Sequence, residues 1–244
     1  MEHRLKAEVF AIGSLSNEQQ EMMFNLYSDY YEDFKEALFY QDLADKHWAI
    51  ILTDQQGVIR GFSTMYVGDY QVDGQVIRSV FSGDTIIHHD FWGEQSLPIA
   101  WCRFIGELKA QQADIPLYWF LIVKGHRTYR YLRVFSKVFY PVYSNATPNN
   151  IQVIMDHLGS NHFGQQYSPD TGLIRFNESH GYLKKEWAGV DQPALKKRDV
   201  QFFVDRNPGY QAGDELVCLT ELTEDNLQRY ALSAFREGVA SMQS

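Results

Sequence analysis

Apolar and polar positions alternate through Leu5, Ala7, Val9 and Ala11, a period of two that predicts a strand over 5–12. Ser16, ahead of Glu18-Gln19-Gln20, is close to a capping box, so a helix starts there. It presents Met23, Leu26, Tyr27 and Tyr30 at helical spacing to a core. A second, acidic helical stretch is expected over 32–45. Three β-branched runs follow at 47–53, 58–68 and 75–88, separated by turn-forming segments at 54–57 and 69–74, and they predict an antiparallel meander. A helix over 97–112 leads to Leu-Tyr-Trp-Phe-Leu-Ile-Val at 117–123, a continuous apolar run of strand length, as expected for a strand buried on both faces. The next helix is expected over 127–139, stopped by Pro141. Beyond it the pattern predicts a helix over 148–158 and strands over 173–176, 200–205 and 215–222. Thr223 is placed as the cap of a closing helix carrying Leu227, Tyr230, Ala231 and Ala234.

The 244 residues are 45% hydrophobic and 22% charged, enough for a large core without disulfides or metal staples. No apolar run approaches the roughly 20 residues of a membrane span. The charged start, Met-Glu-His-Arg, does not read as a secretory leader, and a cytoplasmic protein is the expectation. Two cysteines, Cys102 and Cys218, are too few and too apolar in context for a metal or disulfide framework, and both read as core residues. His157 and His162 lack a third ligand, so no metal site is expected. The formal net charge of −9 argues against general nucleic-acid binding and favours neutral or cationic ligands.

The order strand, two helices, three antiparallel strands, helix, central strand, helix resembles the GCN5-related N-acetyltransferase (GNAT) superfamily. The resemblance covers about residues 5–140. It implies an α/β (α+β) fold with a central mixed, mostly antiparallel sheet flanked by helices. Residues 1–140 would form the donor-binding core, and 141–244 a C-terminal extension that completes the sheet and the acceptor or acyl pocket. In such enzymes the donor thioester lies where two neighbouring strands splay apart, and its pyrophosphate sits on backbone amides at a helix N-terminus. The corresponding loop here is His88-His89-Asp90-Phe91-Trp92-Gly93-Glu94-Gln95-Ser96. The family pattern is Gln/Arg-x-x-Gly-x-Gly/Ala. Gly93 fits it, whereas Asp90 replaces the Gln/Arg and Gln95 the small residue. The departure favours the branch that makes N-acyl amino acids or acyl-homoserine lactones from longer acyl chains, often delivered by acyl carrier protein. Donor contacts are then expected from Ile86, Ile87, Trp92, Gly93, Gln95 and Ser96. No tightly bound cofactor is expected, only acyl-CoA or an acyl-phosphopantetheine carrier as co-substrate.

Arg127, Arg130, Arg133 and Lys137 fall within an arc of roughly 120° on the helix after the central strand. Tyr131, Leu132, Phe135, Val138 and Phe139 are expected on its inward side, and Lys124 and His126 precede it. A cationic face on an acidic chain suits an acidic carrier protein or the CoA 3′-phosphate, or else is a solvated face paired with acids. On the acceptor side, Asp29, Glu32, Asp33, Glu36, Asp42 and Asp45 form an acidic stretch interleaved with Tyr30 and other aromatics. It suits an amine such as a lysine or ornithine side chain.

On the third strand of the meander, Arg78, Ser82, Asp84 and His88 share one face if the strand is regular. Asp84 is the first choice as general base or ammonium anchor, and His88 the second. Many GNAT enzymes place a tyrosine on the helix after the central strand as the acid for the leaving thiolate. Phe135 occupies that position here, and Tyr131 is the alternative acid or a core residue. Asp29, Asp33, Tyr30 and Ser82 complete the expected acceptor site. The sequence therefore points to acyl transfer, plausible for a fatty acyl group, from a thioester to an amine. A non-catalytic acyl- or carrier-binding module and a thioester hydrolase are the rival readings.

Overall fold

The computed structural model describes residues 5–243; the first four residues of the charged start lie outside it. Strand β1 (Lys6–Ala11) is followed by helix α1 (Asn17–Tyr30). The α1 N-terminus carries a complete capping box: Ser16 Oγ accepts from Gln19 N–H, and the Gln19 side chain accepts from Ser16 N–H. The expected second helix begins only at Glu36. Tyr31–Glu32 is instead a short strand, β2, and helix α2 spans Glu36–Ala44. Strands β3 (Trp48–Thr53), β4 (Ile59–Val72) and β5 (Gln75–Ile87) form the meander. Helix α3 (Ser96–Gln111), strand β6 (Leu117–Val123) and helix α4 (His126–Phe135) come next.

The remainder contains α5 (Asn149–Phe163), β7 (Tyr167–Ser168), β8 (Leu173–Ile174), β9 (Tyr182–Leu183), α6 (Lys185–Ala188) and α7 (Gln192–Leu195). It ends with α8 (Arg198–Arg206), β10 (Glu215–Glu221) and α9 (Arg229–Ser241).

The fold is mixed α/β. An eight-stranded, mostly antiparallel sheet in the order β1-β3-β4-β5-β6-β10-β8-β7 is flanked by helices. Among the described residues only β5 and β6 pair in parallel. One face, with Leu52, Met65, Val80 and Leu121, packs on α3, α4 and α9. On the other face, Ile51, Phe62 and Ile86 meet α1 and α2, and Phe81, Phe120 and Val217 meet α5. Helices α3 and α9 cross so closely that a Cβ at Gly106 or Gly238 would overlap the opposing backbone carbonyl. No helix among the described residues is long and apolar enough to cross a membrane.

Three expectations fail for local reasons. Residues 200–205 belong to helix α8 rather than a strand, because Val200 and Phe203 meet the core at a spacing of three, a period a short apolar run does not reveal. The helix over 127–139 stops at Phe135, and Ser136 and Tyr140 form bridges to Leu227 and Leu219 instead. The buried positions of α4 are His126, Tyr129, Leu132 and Phe135. Tyr129 is buried and donates to the Pro141 carbonyl, whereas Tyr131 is 40% and Val138 54% exposed. Thr223 caps a turn through Asn226 N–H, and the closing helix starts only at Arg229.

Candidate active site

β5 and β6 pair from Arg78↔Leu117 to Ser82↔Leu121 and then separate. Residues 83–87 of β5 have no partner on the β6 side, while β6 continues against β10 as far as Val123. A V-shaped gap therefore opens at Ser82/Leu121. A cavity of about 630 Å³ passes through it, lined on one face by Leu97, Trp101, Trp119 and Phe135, and on the other by Tyr27, Tyr31, Phe34 and Phe39.

A β-bulge sets the chemistry of this gap. Ser82 faces Met65 and Thr85 faces Ser63, so Gly83 and Asp84 together oppose only Thr64. The extra residue reverses the in–out alternation. Val80 before the bulge lies with the α3 side, whereas Ile86 after it lies with the α1–α2 side. The regular-strand expectation that Arg78, Ser82, Asp84 and His88 share one face therefore fails at the bulge. Ser82 accepts a 2.9 Å hydrogen bond from Trp119 Nε1 on the α3 side, and Arg78 is engaged with Asp69. Asp84 instead belongs with the groups around α1 and α2.

Those groups are a set of charges in which Lys46 and Glu215 are buried, Lys124 largely so and Asp42 half-exposed. Lys46 donates to Asp42 Oδ1 at 2.6 Å, and Lys124 lies 3.3 Å from Glu215 Oε1. Asp84 has no hydrogen-bonding or ion-pair partner among the described residues. Burial, then repulsion from Asp42, pushes its carboxyl up to about 7, against the pull of Lys124 and Lys46. Burial likewise raises the Glu215 carboxyl despite Lys124. Tyr27 and Tyr31 stack at 4.4 Å, and burial followed by the Asp84 charge holds both phenols neutral. His162 stacks on Phe120 and shares a 2.9 Å hydrogen bond with the Tyr70 hydroxyl; burial, then Lys46, lowers its imidazole to about 4.

At the outer end lies the expected phosphate loop. Gly93 has φ +88°, the left-handed region that favours glycine. Glu94 Oε2 accepts from Ser96 N–H at 2.7 Å, so the protein's own carboxylate takes a first-turn amide of α3. Ser96 Oγ donates to the Leu5 carbonyl, Gln95 Nε2 to the Gly93 carbonyl and Trp92 Nε1 to the Ile87 carbonyl. Trp187 of α6 covers this end. Its ring stacks 5.4 Å from His89, its carbonyl accepts from Arg127, and the Arg127 guanidinium lies over Trp92.

Of the expected catalytic residues, Asp84 and Tyr131 line the cavity from opposite faces. His88 lies outside it, its Nδ1 accepting from the Asp90 N–H at 3.3 Å. Ile86, Ile87, Trp92, Lys124 and Arg127 line it; Gly93, Gln95 and Ser96 lie in the adjoining loop. Arg130 bonds buried Asp199 at 3.1 Å, and Arg133 reaches the same carboxylate only at 3.9 Å. Asp199 of α8 thus engages two of the expected cations, which remain exposed. Tyr30 and Ser82 line the cavity, whereas Asp29 and Asp33 are exposed outside it. The residues not singled out beforehand are Lys46, Glu215, His162 and Trp187. For Lys46, an i,i+4 pairing with Asp42 was available as a signal; the others converge only through the fold. His88, His89 and Asp90 bring three ligand-type atoms within 4.8 Å, largely exposed, and no other such group occurs among the described residues.

Compared with known proteins, the chain matches no family model and no curated protein. Its fold is similar to several solved structures. One is a conserved Enterococcus faecalis protein described as a probable N-acyltransferase, with 12% identity and TM-score 0.40 over 55% of this chain and 33% of that one. A second is the Escherichia coli GNAT family N-acetyltransferase YhbS in complex with CoA, with 14% identity and TM-score 0.39 over 55% and 70%. A third is Escherichia coli ElaA, with 13% identity and TM-score 0.37 over 59% and 93%. The chain spans a third of the length of the first.

Proposed function

We propose that this protein is an N-acyltransferase that moves an acyl group from a phosphopantetheine thioester to an amine. The observation that supports it is the parting of β5 and β6 at Ser82/Leu121, with the unpartnered Asp84 carboxylate beside the gap. Residues 83–87 extend about 16 Å at ~3.3 Å per residue, an open strand edge along which an amide-bearing arm can lie. With its phosphate end near Gly93, the arm's thioester reaches the vertex.

At the vertex Asp84 takes a proton from the ammonium of the acceptor. The freed nitrogen attacks the thioester carbon, a C–N bond forms, and the carbonyl electron pair moves onto oxygen. The nitrogen gives up its second proton to water, collapse breaks the C–S bond, and Tyr131, which regains a proton from solvent, is the acid available to the leaving thiolate. The aromatic wall provided by Tyr27, Tyr31, Phe34 and Phe39 suits a fatty acyl chain or an apolar acceptor. The lining balances Asp42, Asp45, Asp84 and Glu215 against Lys35, Lys46, Lys124 and Arg127, and the Asp84 carboxylate, without an ion-pair partner among the described residues, suits an amine arriving as a cation, such as a lysine or ornithine side chain.

The donor end favours a carrier-borne arm over free CoA. Glu94 occupies an amide that a diphosphate would use, and a carrier presents a single phosphodiester. Arg133, 60% exposed, together with the exposed Lys137, forms the remaining cationic surface for an acidic carrier protein. The test is incubation with acyl-CoA and acyl-carrier donors and a mixed amine panel, read by mass spectrometry. An acyl amide is the expected product. Free acid formed without any amine requirement would make the protein a hydrolase, and thioester binding without turnover a binding module.

A further inference from the structure

Lys46 is nearly sealed from solvent, with 6% of its surface exposed, yet it lines the cavity. Its position depends on the bulge. A Cβ at Gly83 would meet Lys46 Cε at 2.7 Å and Thr64 Oγ1 at 2.5 Å, so only glycine lets the lysine lie against β5 there. Gly83 is the first residue beyond the last β5–β6 pair. The ammonium therefore sits at the vertex of the gap, 5.5 Å from the centre of the Phe81 ring.

The charge is built in rather than incidental. Sequestering an ammonium is costly without a partner, and Asp42 supplies one through its carboxylate and its backbone carbonyl, at 2.6 and 3.1 Å. Those two bonds use two of the three N–H donors and leave one. Thr64 Oγ1, buried beside the same glycine, has no hydrogen-bond partner. Lys124 differs: it lies three residues past Leu121 and is held by Glu215 and the His180 carbonyl.

We propose that Lys46 is a catalytic residue of the transfer, its free N–H donating to the thioester carbonyl oxygen as that oxygen becomes an anion. This role rests on the acyl transfer proposed above. As the amine nitrogen bonds to the carbonyl carbon, the π pair moves to oxygen and is met by the Lys46 ammonium, which remains protonated. When the C–O double bond re-forms, the pair returns and the C–S bond breaks, so Lys46 neither gains nor loses a proton over the cycle. A preplaced charge in a water-poor site serves the transition state more than the ground state.

The test is Lys46→Met, close in length and without charge, assayed with the donor and amine that the wild type uses. The expected result is a kcat lower by about 100- to 1,000-fold with donor KM little changed. The carbonyl stretch of a thioester bound without amine, lowered in frequency in the wild type, should return towards its solution value. Gly83→Ala, which displaces the lysine while keeping its charge, should weaken both readouts and serves if Lys46→Met does not fold. Turnover by folded Lys46→Met within a few-fold of wild type overturns the role, as does a loss falling wholly on acceptor KM. A wild type that binds thioester and forms no amide overturns the transferase reading, and this role with it.

Discussion

The two ends of the cavity satisfy their polar groups in opposite ways. At the outer end Glu94 takes the Ser96 amide, Trp92 and Gln95 bond nearby carbonyls, and Arg127 is bound to Trp187. At the vertex Asp84 and Thr64 Oγ1 have no partner among the described residues, and Lys46 keeps a donor in hand. Buried polar groups are normally paired, because leaving one unpaired costs about 1–3 kcal/mol. At the vertex the unpaired Thr64 Oγ1 lies with the Asp84 carboxylate and the spare Lys46 donor, so a ligand there is expected to complete several pairings at once, whereas at the outer end those polar groups are paired and the buried Trp187 Nε1 is not.

The largest effect that would break this contrast is at Asp84. Asp84→Asn should lower kcat by about 100- to 10,000-fold, measured in the amide-forming assay. It should also raise the melting temperature. Burial pushes the folded carboxyl up to about 7, above its ordinary 3.8, so between those values unfolding releases a proton and stability falls as pH rises. The asparagine removes that fall. A variant as active as wild type across pH would exclude the base role.

The pH profile sharpens the same point. Because ionised Asp84 is the base, kcat/KM should climb about tenfold per unit below pH 7 and level off above it. The opposite limb, activity falling as pH rises through 7, would require a protonated Asp84.

Smaller effects are expected at α4. Arg130→Glu leaves buried Asp199 facing a like charge and should cost about 1–3 kcal/mol in chemical denaturation. Arg133→Glu should leave stability nearly unchanged and raise KM for a carrier-borne donor several-fold, more at low salt than at high. Equal KM values would remove the docking surface. Smallest is Glu94→Ala, which frees the Ser96 amide. It should destabilise by about 1 kcal/mol and improve KM for acyl-CoA a few-fold, narrowing the difference between the two ends.

Much of the fold was legible wherever a periodicity ran long enough. The capping box at Ser16, the meander and the apolar run at 117–123 stand in the structure close to where the pattern put them. Residues 200–205 were misread because six apolar-rich positions fit a strand as well as a helix, and only contact of Val200 and Phe203 with the core decides. The expected inward face of α4 included Val138, which lies beyond the end of the helix, and within the helix Tyr129, Leu132 and Phe135 are buried.

The site divides along the same line. Asp84 stood out in the chain as a member of a period-two polar series on the third meander strand, and Gly93 as the glycine of a strand-to-helix loop, since both signals are local. The bulge that turns Asp84 away from Ser82, the glycine cradle that admits Lys46, and the Trp187 cover arise from registers and crossings between distant segments. Side-chain identity and spacing along one strand are written in the primary structure. Which of those side chains share a buried volume depends on how strands part and helices cross, and no local pattern contains that geometry.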